Sequence, residues 1–153
     1  MSRWRQVLRT WTASSALSVY ALAQPALTFE MHLVAACNSP GAGKPLRIKG
    51  GSQTVCLEQP RWASTADIHS ARVKKDSQGK SMIVLTLEPD AAARVMDLTA
   101  KNLRRSVGII INGELIAVPQ IVAPDREVPI QGNFSTAEAE ALAATFNGRS
   151  GKR

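Results

Sequence analysis

Asn112-Gly113 lies between two aliphatic runs, Val107 to Ile111 and Glu114 to Val118. A type I′ turn needs positive φ at both central residues, and Asn-Gly reaches it most readily. The spacing predicts a tight hairpin, which commits this part of the chain to antiparallel pairing. Other strands follow from composition. Ser81 to Leu87 is a run of strand formers after an Asp76-Ser77-Gln78-Gly79 turn, and Ser70 to Lys75 precedes that turn. Near the start, Phe29, Met31, Leu33 and Ala35 alternate with Glu30 and His32, the period of a half-buried strand over Leu27 to Ala36. Gln53 to Leu57 and Val128 to Gly132 read as short strands, with loop over 38–51 and a connection over 58–65.

Two segments change to helical chemistry. Over 89–103, Pro89 suits the first helical position, Asp90 suits the positive end of the dipole, and Ala91, Val95, Leu98 and Asn102 fall on one line. Gly132 closes the strand before the second helix. Ser135 and Glu138 form a capping box there, Ala139, Leu142, Ala143 and Phe146 make its apolar stripe, and Gly148 is placed to stop it after Asn147. The chain has 153 residues, enough for one ordinary domain. The expected fold is α+β, a mostly antiparallel sheet with two helices packed on one face.

The first 23 residues read as a secretory signal. Arg3, Arg5 and Arg9 precede a mildly apolar stretch from Trp11 to Leu22, no acid occurs before Glu30, and Ala21-Leu22-Ala23 is an A-x-A cleavage site. An organelle transit peptide or uncleaved anchor is the rival reading. Val34-Ala35-Ala36-Cys37 resembles a lipoprotein box, but Glu30 and His32 interrupt the apolar run such a box requires. Cleavage after Ala23 removes three of the 19 basic residues and lowers the net charge from +7 to +4. With no basic stripe interleaved with aromatics, nucleic acid is not expected as a partner. No run of eighteen apolar residues occurs, so the mature chain is not expected to span a membrane. A periplasmic or secreted location is expected.

Cys37 and Cys56 are the only cysteines. An even count in an exported chain points to a disulfide. Free thiols and a zinc site with His32 and His69 are the alternatives, though the ligand spacing matches no known zinc pattern.

Catalytic constellations are not apparent. There is no G-x-S-x-G elbow. Gly41-Ala42-Gly43-Lys44-Pro45 lacks the full phosphate-loop pattern and no helix follows it. No enzyme activity, cofactor or metal is expected. Ile116, Val118, Ile121 and Val122 lie in a proline-broken segment that forms a candidate peptide-binding edge by strand addition. The plainer reading turns these residues toward the helices. Trp62 beside Arg61 is either an exposed anchor or a cover for the core.

Ordered segments from Ala66 to Gly148 resemble the head subdomain of the first periplasmic domain of the SecD and SecDF protein-export membrane proteins. The matching runs are Ala66 to Val73, Val84 to Leu87 leading into the Pro89 helix, Leu98 to Asn102, Gly108 to Pro119, and Ile130 to Ala143. Before residue 66 the resemblance is confined to the strand at Phe29 to Val34, and the 37–56 loop departs from the family pattern. The resulting division is a signal at 1–23, a strand and cysteine-bounded loop at 24–65, a head-like unit at 66–148 and a basic tail at 149–153. The resemblance implies a non-catalytic exported module that binds protein, either unfolded exported polypeptide or an envelope partner. The competing expectation is an assembly subunit of an envelope complex that reuses the fold without client binding.

Overall fold

The computed structural model describes residues 26–150; the expected signal at 1–23 and most of the basic tail lie outside them. Within these residues the strands are β1 (Phe29–Ala35), β2 (Leu46–Arg47), β3 (Thr54–Leu57), β4 (Ala63–Ser64), β5 (Ile68–Lys75), β6 (Ser81–Leu87), β7 (Val107–Ile111), β8 (Glu114–Ala117) and β9 (Glu127–Ile130). The helices are α1 (Pro89–Lys101) and α2 (Thr136–Ser150), with a 3₁₀ turn at Thr65–Asp67. The fold is α+β, as expected, and every paired strand is antiparallel.

The strands form two sheets rather than one. One runs β2-β3-β1-β7-β8, with β4 also paired to β1; the other runs β5-β6-β9. Period-2 alternation explains how they share a core. Phe29, Met31 and Leu33 of β1, Val107, Ile109 and Ile111 of β7, and Ile83, Leu85 and Leu87 of β6 all point into it. Ala91 and Val95 of α1 and Ala139, Ala143 and Phe146 of α2 complete it. The Phe29 and Phe146 rings meet edge to face at 6.3 Å, joining the first strand to the last helix.

The predicted hairpin forms at Asn112 (φ 52°) and Gly113 (φ 79°). Asn112 also fixes the residue before β1: the Thr28 N–H donates to its Oδ1 at 3.1 Å, and its own N–H donates to the Thr28 carbonyl at 3.0 Å. Trp62 is buried in the main core, while Arg61 reaches Glu30 at 3.6 Å. His32 is buried, with the connection after β3 covering that face of β1. Its Nδ1 lies 3.0 Å from the Glu58 carbonyl and its Nε2 3.0 Å from Glu30.

Gly148 does not stop α2, which continues to Ser150. The last full turn is held from outside the helix. Asn147 Oδ1 accepts the Ala71 N–H at 2.8 Å, and its Nδ2 donates to the Ala71 carbonyl at 2.9 Å. These bonds dock the turn on β5, and Gly148 continues the helix without entering the left-handed region.

Candidate functional site

The cysteines form the expected disulfide, Cys37–Cys56, with Cα atoms 5.1 Å apart. The bridge joins the end of β1 to β3, where Ala35 pairs with Cys56. The segment between them folds back along the edge of the six-stranded sheet. Its short strand pairs Leu46 with Val55 and Arg47 with Thr54. Next, the Lys49 N–H donates to the Leu115 carbonyl at 2.8 Å, and Ile48 bridges Leu115 in parallel. The sheet thereby curls until its first strand touches its last, around a second small core.

Val55, Leu57 and Leu115 are that core, with Val34, Leu46, Ile48, Ile110 and Val118 packed against it. Gly108 makes it possible. A Cβ there would lie 2.5 Å from Leu57 Cδ2 and 3.3 Å from Leu115 Cδ1, so the leucines reach their present positions over β7 because residue 108 has no side chain.

The β7–β8 hairpin carries a β-bulge. Ile109 pairs with Ala117 and Ile110 with Leu115, which leaves Ile116 as the extra residue. Bulges re-aim side chains. Here Leu115 points into the small core, Ala117 into the main core, and Ile116 packs at the margin of the main core beside an open groove.

That groove, of about 460 Å³, runs between the hairpin, the Lys49-Gly50 corner and α2. Ile111, Ile116, Phe134 and Leu142 supply its apolar surface, and Lys49, Glu114 and Glu138 its charged rim. Each wall has a local cause. Phe134 lies against Gly132, where a Cβ would come within 2.4 Å of its ring. Ser135 and Glu138 cap α2 reciprocally: the Ser135 N–H donates to Glu138 Oε2 at 2.7 Å, and the Glu138 N–H to Ser135 Oγ at 3.1 Å. Hydrogen bonding to the Glu138 carboxylate, first from the Ser135 backbone N–H and next from the Ser135 side chain, holds it below the usual carboxylate range. Lys49 Nζ meets Glu114 at 2.8 Å, and this hydrogen bond and charge raise the Lys49 ammonium above its ordinary value.

The four residues of the candidate edge are not brought together. Ile116 lines the groove. Val118 packs on the small core. Ile121 is buried, its N–H bonded to the Arg105 carbonyl and its carbonyl to the Arg104 N–H, both at 2.8 Å. Val122 is 84% exposed and, with Ile121, borders a separate depression of about 100 Å³ near Val95 and Thr99. Backbone already paired with 104–107 cannot accept an added strand at Ile121. Sequence reading missed Lys49 and Phe134 as groove residues. Phe134 had a signal, since an aromatic two residues after Gly132 packs readily where no Cβ intervenes; Lys49 lies in a loop whose path depends on the closed sheet.

Among the described residues no group of three or more His, Cys, Asp or Glu side chains is placed to hold a metal ion. No helix there is long and apolar enough to cross a membrane. Both nitrogens of His32 face structural partners, and His69 faces Glu88 at 3.5 Å from an exposed position.

The described residues thus form a two-sheet α+β domain whose larger sheet is tied by a disulfide and borders an amphipathic groove. Residues 43–150 match the family model described as the SecDF P1 head subdomain, and the chain belongs to that family. Similar curated proteins are protein translocase subunits SecD. That of Acidaminococcus fermentans is 29% identical over 79 residues, and that of Dictyoglomus turgidum 33% over 78. Each alignment covers 50% of this chain but 19% and 20% of the relative, so the chain spans about a fifth of their length. The fold is also found in solved SecDF structures. One, described as a membrane component that enhances protein export, superposes with a TM-score of 0.59 at 19% identity over 78% of this chain and 61% of that one. SecDF in its super-membrane-facing form gives 0.60 at 21% identity over 78% and 18%.

Proposed function

We propose that this protein is an exported, non-catalytic binding module that holds segments of translocated polypeptide outside the membrane. The observation that carries the reading is the match to the SecDF P1 head over residues 43–150, where the relatives are protein translocase subunits. The disulfide fits an oxidising compartment, and the basic, acid-free first 23 residues supply the signal, cleaved after Ala23. The groove between the hairpin and α2 is the seat of the polypeptide. Ile111, Ile116, Phe134 and Leu142 offer apolar contact without a deep pocket, as suits a site that takes many sequences. Lys49, Glu114 and Glu138 at the rim present both signs of charge to the backbone and polar side chains of an extended chain.

The test is in-cell photocrosslinking with a photoreactive residue at Ile116 in the full exported protein. Adducts with many unrelated exported chains support the reading. Adducts with one stoichiometric envelope protein, or none, overturn it and favour an assembly role.

A further inference from the structure

The groove of the proposed function has one wall that belongs to the disulfide loop. Lys49 and Gly50 line it, and both lie between Cys37 and Cys56. We infer that the Cys37–Cys56 bridge assembles this wall, so that the groove is complete only in the oxidised protein. The inference takes the groove, not its occupant, from the proposed function.

The attachments of the loop make the case. Its apolar anchors are Leu46 and Ile48, both only partly buried. The backbone attachments from Ala42 to Lys49 outside the loop's own turns are short: single-residue bridges of Ala42 to Glu58 and Ile48 to Leu115, with Gly43 N–H on the Leu57 carbonyl at 2.9 Å and Lys49 N–H on the Leu115 carbonyl at 2.8 Å, and the two-residue pairing with β3. The Lys49–Glu114 ion pair is 62% and 56% exposed, and exposed pairs add little. By contrast, β1 pairs with β7 over five residues, and β5 with β6 along almost their whole length. The loop is the part of the domain most dependent on a covalent tie, and its weak contacts are the ones that place Lys49 and Gly50.

Reduction breaks the Sγ–Sγ bond. A dithiol supplies two electrons and two protons and leaves as its own disulfide, and Cys37 and Cys56 become thiols. Exchange with a disulfide partner outside the cytoplasm runs the reaction backwards and closes the wall. A chain still in a reducing compartment thus carries the main core but not the finished groove.

Hydrogen exchange on the oxidised protein, on the same protein after dithiol reduction, and on a Cys37→Ala/Cys56→Ala variant tests this. The expected result is exchange on the order of 100-fold faster at the Gly43, Ile48 and Lys49 amides in both states that lack the disulfide, with protection in β1, β6 and β7 retained. Unchanged protection at Lys49 overturns the inference, and so does loss of protection throughout both sheets. The readout needs no ligand. If the loop amides respond as expected while Ile116 crosslinks appear in neither redox state, the polypeptide-binding reading fails and the disulfide-built wall stands.

Discussion

Gly108 shows how one missing side chain organises a region. Its neighbours are leucine methyl groups from β3 and β8, and a Cβ only 2.5 Å from Leu57 would force that leucine to shift within the small core. Gly108→Ala should destabilise the protein by about 1–3 kcal/mol, the usual range for overpacking. Chemical denaturation measures this, and a midpoint equal to the wild type would mean that the small core is not closed over β7. The same reasoning applies at Gly132 beneath Phe134, a residue that lines the groove. Arg104 is a different case: its φ of 68° lies in the left-handed region without glycine. Its N–H bond to Ile121 and the Gln120 amide on its carbonyl hold it there.

Among the elements, α2 carries the most. Its apolar stripe faces β5 and β6, its capped start forms one side of the groove, and its end clamps β5 through Asn147. Asn147 meets the Ala71 N–H and carbonyl as a neighbouring peptide would, which occupies backbone that an edge strand otherwise leaves open. Asn147→Ala should cost about 1–2 kcal/mol, two hydrogen bonds at the usual net value. It should also speed exchange at the Ala71 amide more than elsewhere in β5, and uniform exchange along the strand would contradict the clamp. Much of this element was legible in the sequence. Ser135, Glu138 and the stripe from Ala139 to Phe146 are local signals, and they stand where the periodicity put them. The helix end was not legible, because Asn147 and Gly148 are set by contact with a strand seventy-six residues away rather than by local preference. The hairpin at Asn112-Gly113 was legible for the same local reason the cap was. Its bulge was not, since the register shift at Ile116 depends on which core Leu115 enters. Ile116, Val118, Ile121 and Val122 form no single edge, because the bulge turns Ile116 to the groove while the backbone at Ile121 is already bonded to Arg104 and Arg105.

At the scale of the whole molecule, two antiparallel sheets share one core, and the larger sheet curls around a second. The split into two sheets escaped sequence reading, because antiparallel strands carry their own alternation whichever partner they take. The cysteine-bounded segment looked like a loop of Gly, Pro, Ser and Lys, yet it closes the curled sheet and supplies a groove wall. The groove therefore stands where three separately built pieces meet: a bulged hairpin, a capped helix and a disulfide-tied corner. This groove is the surface proposed to receive exported polypeptide. The most direct measurement is NMR chemical-shift mapping of the purified, oxidised protein titrated with an unfolded exported polypeptide. Saturable shifts clustered at Ile111, Glu114, Ile116, Phe134 and Leu142 are the predicted result. No saturable shifts, or shifts confined to the open face of β5-β6-β9 around Arg72 and Lys74, would contradict it.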